Sequence, residues 1–378
     1  MKVSIVGAGP AGLYAAILLK RMRGDLEIEV AEQNPPDATF GFGVVFSDDG
    51  LAFLRRDDPE TVDLIEPYMM RWSDIAVVHR NQRIDIDGVG FAGIGRLELL
   101  ELFRRRAGQL GIHPTYNTRL EDIGSIRADL IIGADGLNSQ VRASGDFGEK
   151  VHMQANYFVW YGTNREFDAL TQSFVETEWG PMNVHHYSYA PGRATFLIEA
   201  SPAAFDRAGF GDMEEPEYRK LCEEIFAGVL DGAILIPNNS LWRRFPHLSC
   251  ERWFDGNKVL VGDALHTAHF SIGSGTRLAL EDAVALCTAL RDSEWATEKA
   301  LPRYRSKRAP ILAKIVNAAR QSADWYDDFG THMEKAPWPF ALDYIRRAGR
   351  ITPERLRKMA PRFSAEAERN GCPLQTAE

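Results

Sequence analysis

Gly7, Gly9 and Gly12, in the run Gly7-Ala8-Gly9-Pro10-Ala11-Gly12, have the spacing that brings a backbone turn against a pyrophosphate, and Glu32 follows the third glycine by 20 positions. Each residue has a task. Gly7 makes the tight turn, Gly9 lets the backbone approach the phosphates, and Gly12 allows a helix to pack closely on a strand. The helix N-terminus that follows favours phosphate charge, and an acid at this distance can accept hydrogen bonds from a ribose. A glycine triplet alone is a weak signal. Here Lys2–Val6 reads as a buried strand, residues 13–22 continue at helical spacing, and residues 26–31 alternate as a second strand ending at Glu32. Together these predict a bound dinucleotide, and the carboxylate of Glu32 disfavours a 2′-phosphate on its ribose.

Two later blocks repeat the pattern of a buried strand that ends in a polar turn. Asp129-Leu130-Ile131-Ile132-Gly133-Ala134-Asp135-Gly136 is the first. Lys258-Val259-Leu260-Val261-Gly262-Asp263 is the second, followed by Gly273-Ser274-Gly275 and a helix over residues 276–290. An Asp closing a strand suits hydrogen bonds to a polyol. A helix whose first turn is Gly-Ser-Gly and then Thr276 presents bare N–H groups and a positive dipole end to an anionic edge.

These three blocks, in this order, resemble the class A flavoprotein monooxygenases, the single-component aromatic hydroxylases, and the resemblance spans most of the chain. It implies FAD as cofactor, NADH or NADPH as reductant and O2 as co-substrate, with ring hydroxylation through a C4a-hydroperoxyflavin. It assigns the ADP half of FAD to Gly7, Gly9, Pro10, Ala11, Gly12, Glu32 and Gln33. Asp263 and Gly262 fall to the ribityl chain, Asp135 to the flavin and the entry of NAD(P)H, and Gly273, Ser274, Gly275 and Thr276 to the flavin edge. Arg96, which opens a helix in Gly95-Arg96-Leu97-Glu98, matches the family's FAD-contacting arginine. Two departures stand out: His269-Phe270-Ser271-Ile272 lacks the usual Pro before Gly-x-Gly, and Arg277 replaces a common Asn.

Phe40-Gly41-Phe42-Gly43-Val44-Val45-Phe46-Ser47, combined with Ala268-His269-Phe270-Ser271-Ile272-Gly273-Ser274-Gly275-Thr276, is similar to a narrower group. Its members hydroxylate aryl-CoA thioesters such as salicylyl-CoA and 2-aminobenzoyl-CoA, or an indole-derived intermediate. The resemblance places Phe42, Val44 and Phe46, in a loop after the second strand, as an apolar wall by the flavin. His269 is the candidate catalytic base, with His266 and Ser271 nearby. Phe270, His185 and Tyr187 are candidate substrate contacts. A flavin reductase or oxidase without oxygen insertion is the second reading, and a non-enzymatic relative of the GDP-dissociation inhibitors the third; Glu32, Asp135 and Asp263 count against the third.

These residues need positioning. The fold expected is α/β: a Rossmann-like FAD-binding domain of glutathione-reductase type (residues 1–72, 97–150 and 246–300) interleaved with a mostly antiparallel substrate-binding sheet (73–96 and 151–245). A C-terminal helical region (301–378) follows. Strands are expected over 156–162, 172–178, 183–189 and 194–200, with turns at Gly180-Pro181 and Pro191-Gly192. A smaller hairpin over 75–79 and 83–87 turns about Asn81-Gln82. Helices are expected over 304–325, 339–347 and 353–359.

Composition sets the outer limits. The 378 residues carry 44 Lys+Arg and 53 Asp+Glu, a net charge of −9, and 45% are hydrophobic. This balance argues against a general nucleic-acid binder, which carries a basic footprint. Cys222, Cys250, Cys287 and Cys372 form no metal-ligand spacing, so no metal site is expected, and no apolar run reaches membrane-spanning length. The sequence reads as a soluble cytoplasmic monomer or homodimer that acts on a small aromatic substrate. The charge is divided unevenly. Residues 303–378 hold 15 Lys and Arg against 9 Asp and Glu. The cluster Arg346, Arg347, Arg350, Arg355, Arg357, Lys358 and Arg362 could hold the phosphates of a CoA handle, or be a solvated basic face.

Overall fold

Strand Lys2–Val6 is buried on both faces, as a central parallel strand must be. It pairs in parallel with Glu27–Ala31 and Leu130–Gly133, and the latter pairs in parallel with Lys258–Leu260. Phe254–Asp255 closes the edge antiparallel, which makes five strands. The carboxyl ends of the four parallel strands therefore bring Gly7, Glu32, Ala134 and Gly262 to one rim. Helix Pro10–Met22 follows the first strand, with Gly9 as N-cap and Pro10 in its first turn. It packs against helices Gly275–Asp292 and Arg96–Gln109, the latter through stacked Tyr14 and Phe103 rings 5.7 Å apart. A Cβ at Gly12 would stand 2.0 Å from the carbonyl oxygen of Gly7, so only glycine lets the helix follow the turn this closely. This computed structural model describes residues 1–349 and 351–374.

The second large element is an eight-stranded sheet, antiparallel except where Ile75–His79 pairs in parallel with Leu170–Thr177. Its centre is Glu149–Thr163, Arg193–Ala200, Gly180–Ala190 and Leu170–Thr177. Side chains alternate, so one residue type pattern serves two environments. Val159, Tyr161, Val184, Phe196 and Ile198 pack under helices Pro202–Ala208 and Glu215–Ile225. Their neighbours Phe158, Trp160, His185, Tyr187 and Leu197 face the opposite way, toward the parallel sheet's rim.

Several expected boundaries move. Residues 43–47 are not a loop: Gly43–Ser47 is a strand, paired with Phe91–Gly95 in a three-stranded antiparallel sheet completed by Met70–Trp72. The small hairpin turns at Arg80-Asn81, both in the left-handed region (φ 50° and 58°), so His79 pairs with Gln82. The turn expected at Gly180-Pro181 is at residues 178–179, and Gly180 begins the strand. The long C-terminal helix runs over Thr297–Asp327 with Pro302 and Pro310 inside it. Pro337–Arg346 and Pro353–Met359 form as helices, and Pro361–Arg369 is an additional one. These pack on the small hairpin around Phe340, Tyr344, Leu356 and Phe363.

Candidate active site

Between the rim of the parallel sheet and the aromatic face of the large sheet lies a cavity of about 1120 Å³. Its lower wall is the glycine-rich turn (Gly9, Pro10, Ala11), the strand ends at Ala134 and Asp263, and the segment Gly273–Thr276. Two helices, Pro10–Met22 and Gly275–Asp292, begin at this wall without a side-chain cap, so their first N–H groups and positive dipole ends are directed at the same space. Cβ atoms at Gly9, Gly136 and Gly275 would meet nothing within 4 Å. The backbone has left room there for a ligand.

Arg96 and Asp263 complete this wall. Both line the cavity, and neither side chain has a hydrogen-bond partner among the described residues. Enclosure lowers the pKa of Arg96 while Asp263 opposes that shift; enclosure raises the pKa of Asp263 while Arg96 opposes it. A carboxylate exposed to the open cavity and a half-buried guanidinium, neither partnered, suit a polar ligand with hydroxyl donors and anionic oxygens. Together the open glycines, the uncapped helix starts and this pair of unpartnered groups fit the pyrophosphate, ribityl and ring edge of FAD.

Other expected residues sit just outside the wall. Glu32 Oε2 accepts the Ala8 N–H (2.9 Å) and its Oε1 accepts from the Asn34 backbone and side chain (2.9 and 2.8 Å), which ties it to the glycine turn. Gln33 is exposed. The Asp135 carboxylate accepts from Ser139 Oγ (2.5 Å) and the Gln140 and Val141 N–H groups. It holds the start of helix Gln140–Ala143, and burial raises its pKa against those bonds. Its neighbours Ala134 and Gly136 face the cavity instead.

On the upper side, Val44, His185, Tyr187 and Phe270 line the cavity. The Tyr187 hydroxyl donates to the Gly43 carbonyl (2.8 Å) and so links the large sheet to the three-stranded one. Phe46 points into the core beneath, and Phe42 packs on Gly162. His269 does not reach the cavity surface. Its Nδ1 is 2.9 Å from Ser271 Oγ, which is 2.8 Å from Ser322 Oγ on the long helix. Its ring is enclosed by Phe270 and Phe245, and burial lowers its pKa far enough to keep it neutral. His266 is also buried, with Nε2 2.7 Å from Asp282 Oδ2. Arg277, in place of the common Asn, pairs with Glu281.

The basic C-terminal cluster divides. Arg347 lies over the Tyr344 ring (3.9 Å), donates to the Ser271 carbonyl (2.8 Å) and lines the cavity with Arg355. Arg346 donates to the Leu374 carbonyl, Arg357 pairs with Glu368 and Arg362 with Asp74. Arg350 lies outside the described residues.

Gln172, Thr195, Arg243 and Arg244 also stand on the cavity wall, and no motif in the sequence marks them. Period-two alternation places Gln172 and Thr195 on the face of His185 and Leu197 and could have found them. Arg243 and Arg244 come from a strand edge whose pairing is non-local.

This combination, a parallel sheet with a nucleotide cradle at its rim and an aromatic sheet facing it, defines an FAD-binding flavoprotein. Residues 101–319 match the family model described as "FAD binding domain". The chain is 37% identical to salicyloyl-CoA 5-hydroxylase of a Streptomyces species over 92% of this chain and 70% of that protein. It is 34% identical to 3-hydroxy-4-methyl-anthranilyl-[aryl-carrier protein] 5-monooxygenase of Streptosporangium sibiricum, over 93% and 95%. The fold matches crystallised 2-methyl-3-hydroxypyridine-5-carboxylic acid oxygenase with a TM-score of 0.74 at 19% identity, covering 93% of this chain and 98% of that one. The chain belongs to the class A flavin-dependent aromatic monooxygenases and takes FAD as its cofactor.

Proposed function

We propose that this monooxygenase hydroxylates the aromatic ring of an aryl-CoA thioester of the salicylyl-CoA type, with NADH or NADPH as reductant. The observation that carries the reading is one continuous cavity. It runs from the FAD cradle at Gly9 and Gly275, past Phe158, Trp160 and Phe270, to the guanidinium groups of Arg347 and Arg355. A flat ring fits the first part and an anionic handle the last. Two relatives whose names carry an acyl-linked aromatic substrate support the same class.

When bound and reduced, FAD activates O2 and supplies an oxygen atom to an electron-rich ring. The protein's own contributions follow from the cavity. Arg96, Asp263 and the two helix starts hold the cofactor. Phe158, Trp160, Leu197 and Phe270 exclude water from the ring. His185 and Gln172 offer polar atoms to a ring substituent. His269 acts through Ser271 and Phe270 as a positioning residue.

A panel of NAD(P)H-oxidation assays with product analysis tests this. Salicylyl-CoA or 2-aminobenzoyl-CoA should stimulate NAD(P)H consumption far more than the free acids and give hydroxylated product. Equal stimulation by thioester and acid overturns the CoA reading, and peroxide without product favours an oxidase. Protodeoxyviolaceinate monooxygenase of Chromobacterium violaceum is 30% identical over 93% of this chain, so an indolic bicycle is the second substrate class for the panel.

A further inference from the structure

Glu199 is a carboxyl group with 1% exposure on the strand Arg193–Ala200, behind the aromatic wall. Asn156 Nδ2 donates to its Oε1 (3.0 Å), and its Oε2 lies 3.4 Å from Nε2 of His185. His185 itself lines the cavity, its ring edge-on to Phe270 at 5.2 Å. With Nε2 turned to Glu199, Nδ1 is the nitrogen left to meet a ligand. The surroundings are costly to maintain. Asn156 Oδ1 is buried without a partner, and Asn183, in register with Glu199, turns its buried amide to the same carboxyl. Burying this many polar groups together is costly, and an apolar cluster would fill the site more stably. Glu199 itself is not among the residues that line the cavity.

We propose that His185 and Glu199 form a two-residue proton relay from the substrate ring into the protein. The inference rests on the aromatic-hydroxylase reading. A ring hydroxyl or amine gives its proton to Nδ1 of His185, and the Nε2 proton passes to the Glu199 carboxylate. One O–H (or N–H) bond of the substrate breaks and one N–H forms at Nδ1. One N–H breaks at Nε2 and one O–H forms on Glu199. The electron pair stays on the substrate heteroatom and enriches the ring for attack.

The charges around the pair are compatible with this. Burial, Arg347 and His186 lower the pKa of His185, so its ring stays neutral and can accept a proton. Burial pushes Glu199 up to about 8, opposed by Asn156 and Asn183, with Asp327 adding to the rise. His269 and Tyr326 are the other titratable groups facing His185. Glu199 therefore becomes an acceptor as pH rises through about 8.

The test uses the FAD-loaded enzyme with salicylyl-CoA. In the wild type, single-turnover hydroxylation should rise with pH through about 8. Glu199→Gln should keep its flavin spectrum and KM but lose roughly 100-fold in rate and lose that pH limb. Asp327→Asn, which removes a negative charge facing Glu199, should move the limb to lower pH. Wild-type rate and limb in Glu199→Gln overturn the relay, as does an unmoved limb in Asp327→Asn. Ionisation of the bound phenol, read by its absorbance without reductant, should occur at lower pH in wild type than in Glu199→Gln; identical titrations overturn the relay. Wild type that binds the ester but forms no product overturns the hydroxylase reading instead, with the phenol titration still deciding the relay. If Glu199→Gln loses its flavin, the Asp327→Asn profile decides.

Discussion

Arg96 and Asp263 stand on opposite elements of the cavity and shape each other's ionisation without sharing a hydrogen bond. Such a pair is poised for a third party. Arg96→Met should weaken FAD binding by about 10- to 100-fold, the worth of one hydrogen bond to a charged group. Asp263→Asn should weaken it less, because the amide can still accept. Flavin content on purification and titration with added FAD check both.

Gly9 and Gly12 should fail in different ways on replacement by alanine. At Gly12 a Cβ meets the Gly7 carbonyl at 2.0 Å, so Gly12→Ala should unfold the nucleotide half or leave it insoluble. At Gly9 a Cβ meets nothing, so Gly9→Ala should fold with a wild-type melting temperature and lose FAD affinity. Thermal melts and flavin titration on the pair separate packing from binding.

Beneath the Gly262-Asp263 turn, Asp282 accepts from Gly262 N–H, meets His266, and pairs with Arg308 at 2.7 Å. Although burial opposes it, His266 and Arg308 hold the Asp282 pKa below the usual carboxylate value. Its stabilising contribution is present above the unfolded value of about 4 and is lost as pH falls through the lower folded one. Asp282→Asn, which takes one of two carboxylates from Arg308 and leaves Glu281, should cost about 1.5–3 kcal/mol in urea unfolding at pH 7. The deficit should shrink in acid.

The neutral buried histidines set a second pH dependence of opposite origin. Burial, with Arg165 and Arg83, lowers His186 to about 3, and burial likewise lowers His185 and His269. Unfolded chains take up these protons near pH 6.5, so stability should fall as pH drops below about 6.5. Melting temperatures from pH 7 to 5 should show the decline, with a shallower slope in His186→Gln.

The handle reading makes Arg355 the informative position. It is exposed at the cavity and its side chain makes no bond to Ser271, unlike Arg347. Arg355→Ala should raise KM for an aryl-CoA ester about tenfold, less at high salt, with flavin content unchanged. An unmoved KM leaves that arginine as a solvated charge.

The nucleotide half was legible because each block is local: a buried strand, a polar turn and a helix start within a dozen residues. The strands of the large sheet were legible from β-prone runs between turn residues, but Phe158-Val159-Trp160-Tyr161 is apolar throughout, so its two faces were not. Gly43–Ser47 was not, because its partner Phe91–Gly95 is supplied from far along the chain. His269 illustrates the limit for side chains. Its place before Gly-x-Gly suggested the cavity, yet Ala268 and Phe270 take that side and His269 turns to Ser271, which meets Ser322. Glu199 has no motif around it; one acid near the end of a buried apolar strand is its only sign in the sequence.

Helix Thr297–Asp327 touches both halves along its length. Tyr304 bonds the Leu260 carbonyl and Arg308 pairs with Glu281, while the Tyr326 carbonyl accepts from Asn156 and the Ala323 carbonyl from Gln154. It works as a mechanical strut that sets the gap between flavin floor and aromatic roof. A chimera that exchanges the roof between two such hydroxylases has a seam wherever this strut changes parent, and the fit of its two ends will determine whether ring and cofactor still meet at the right height.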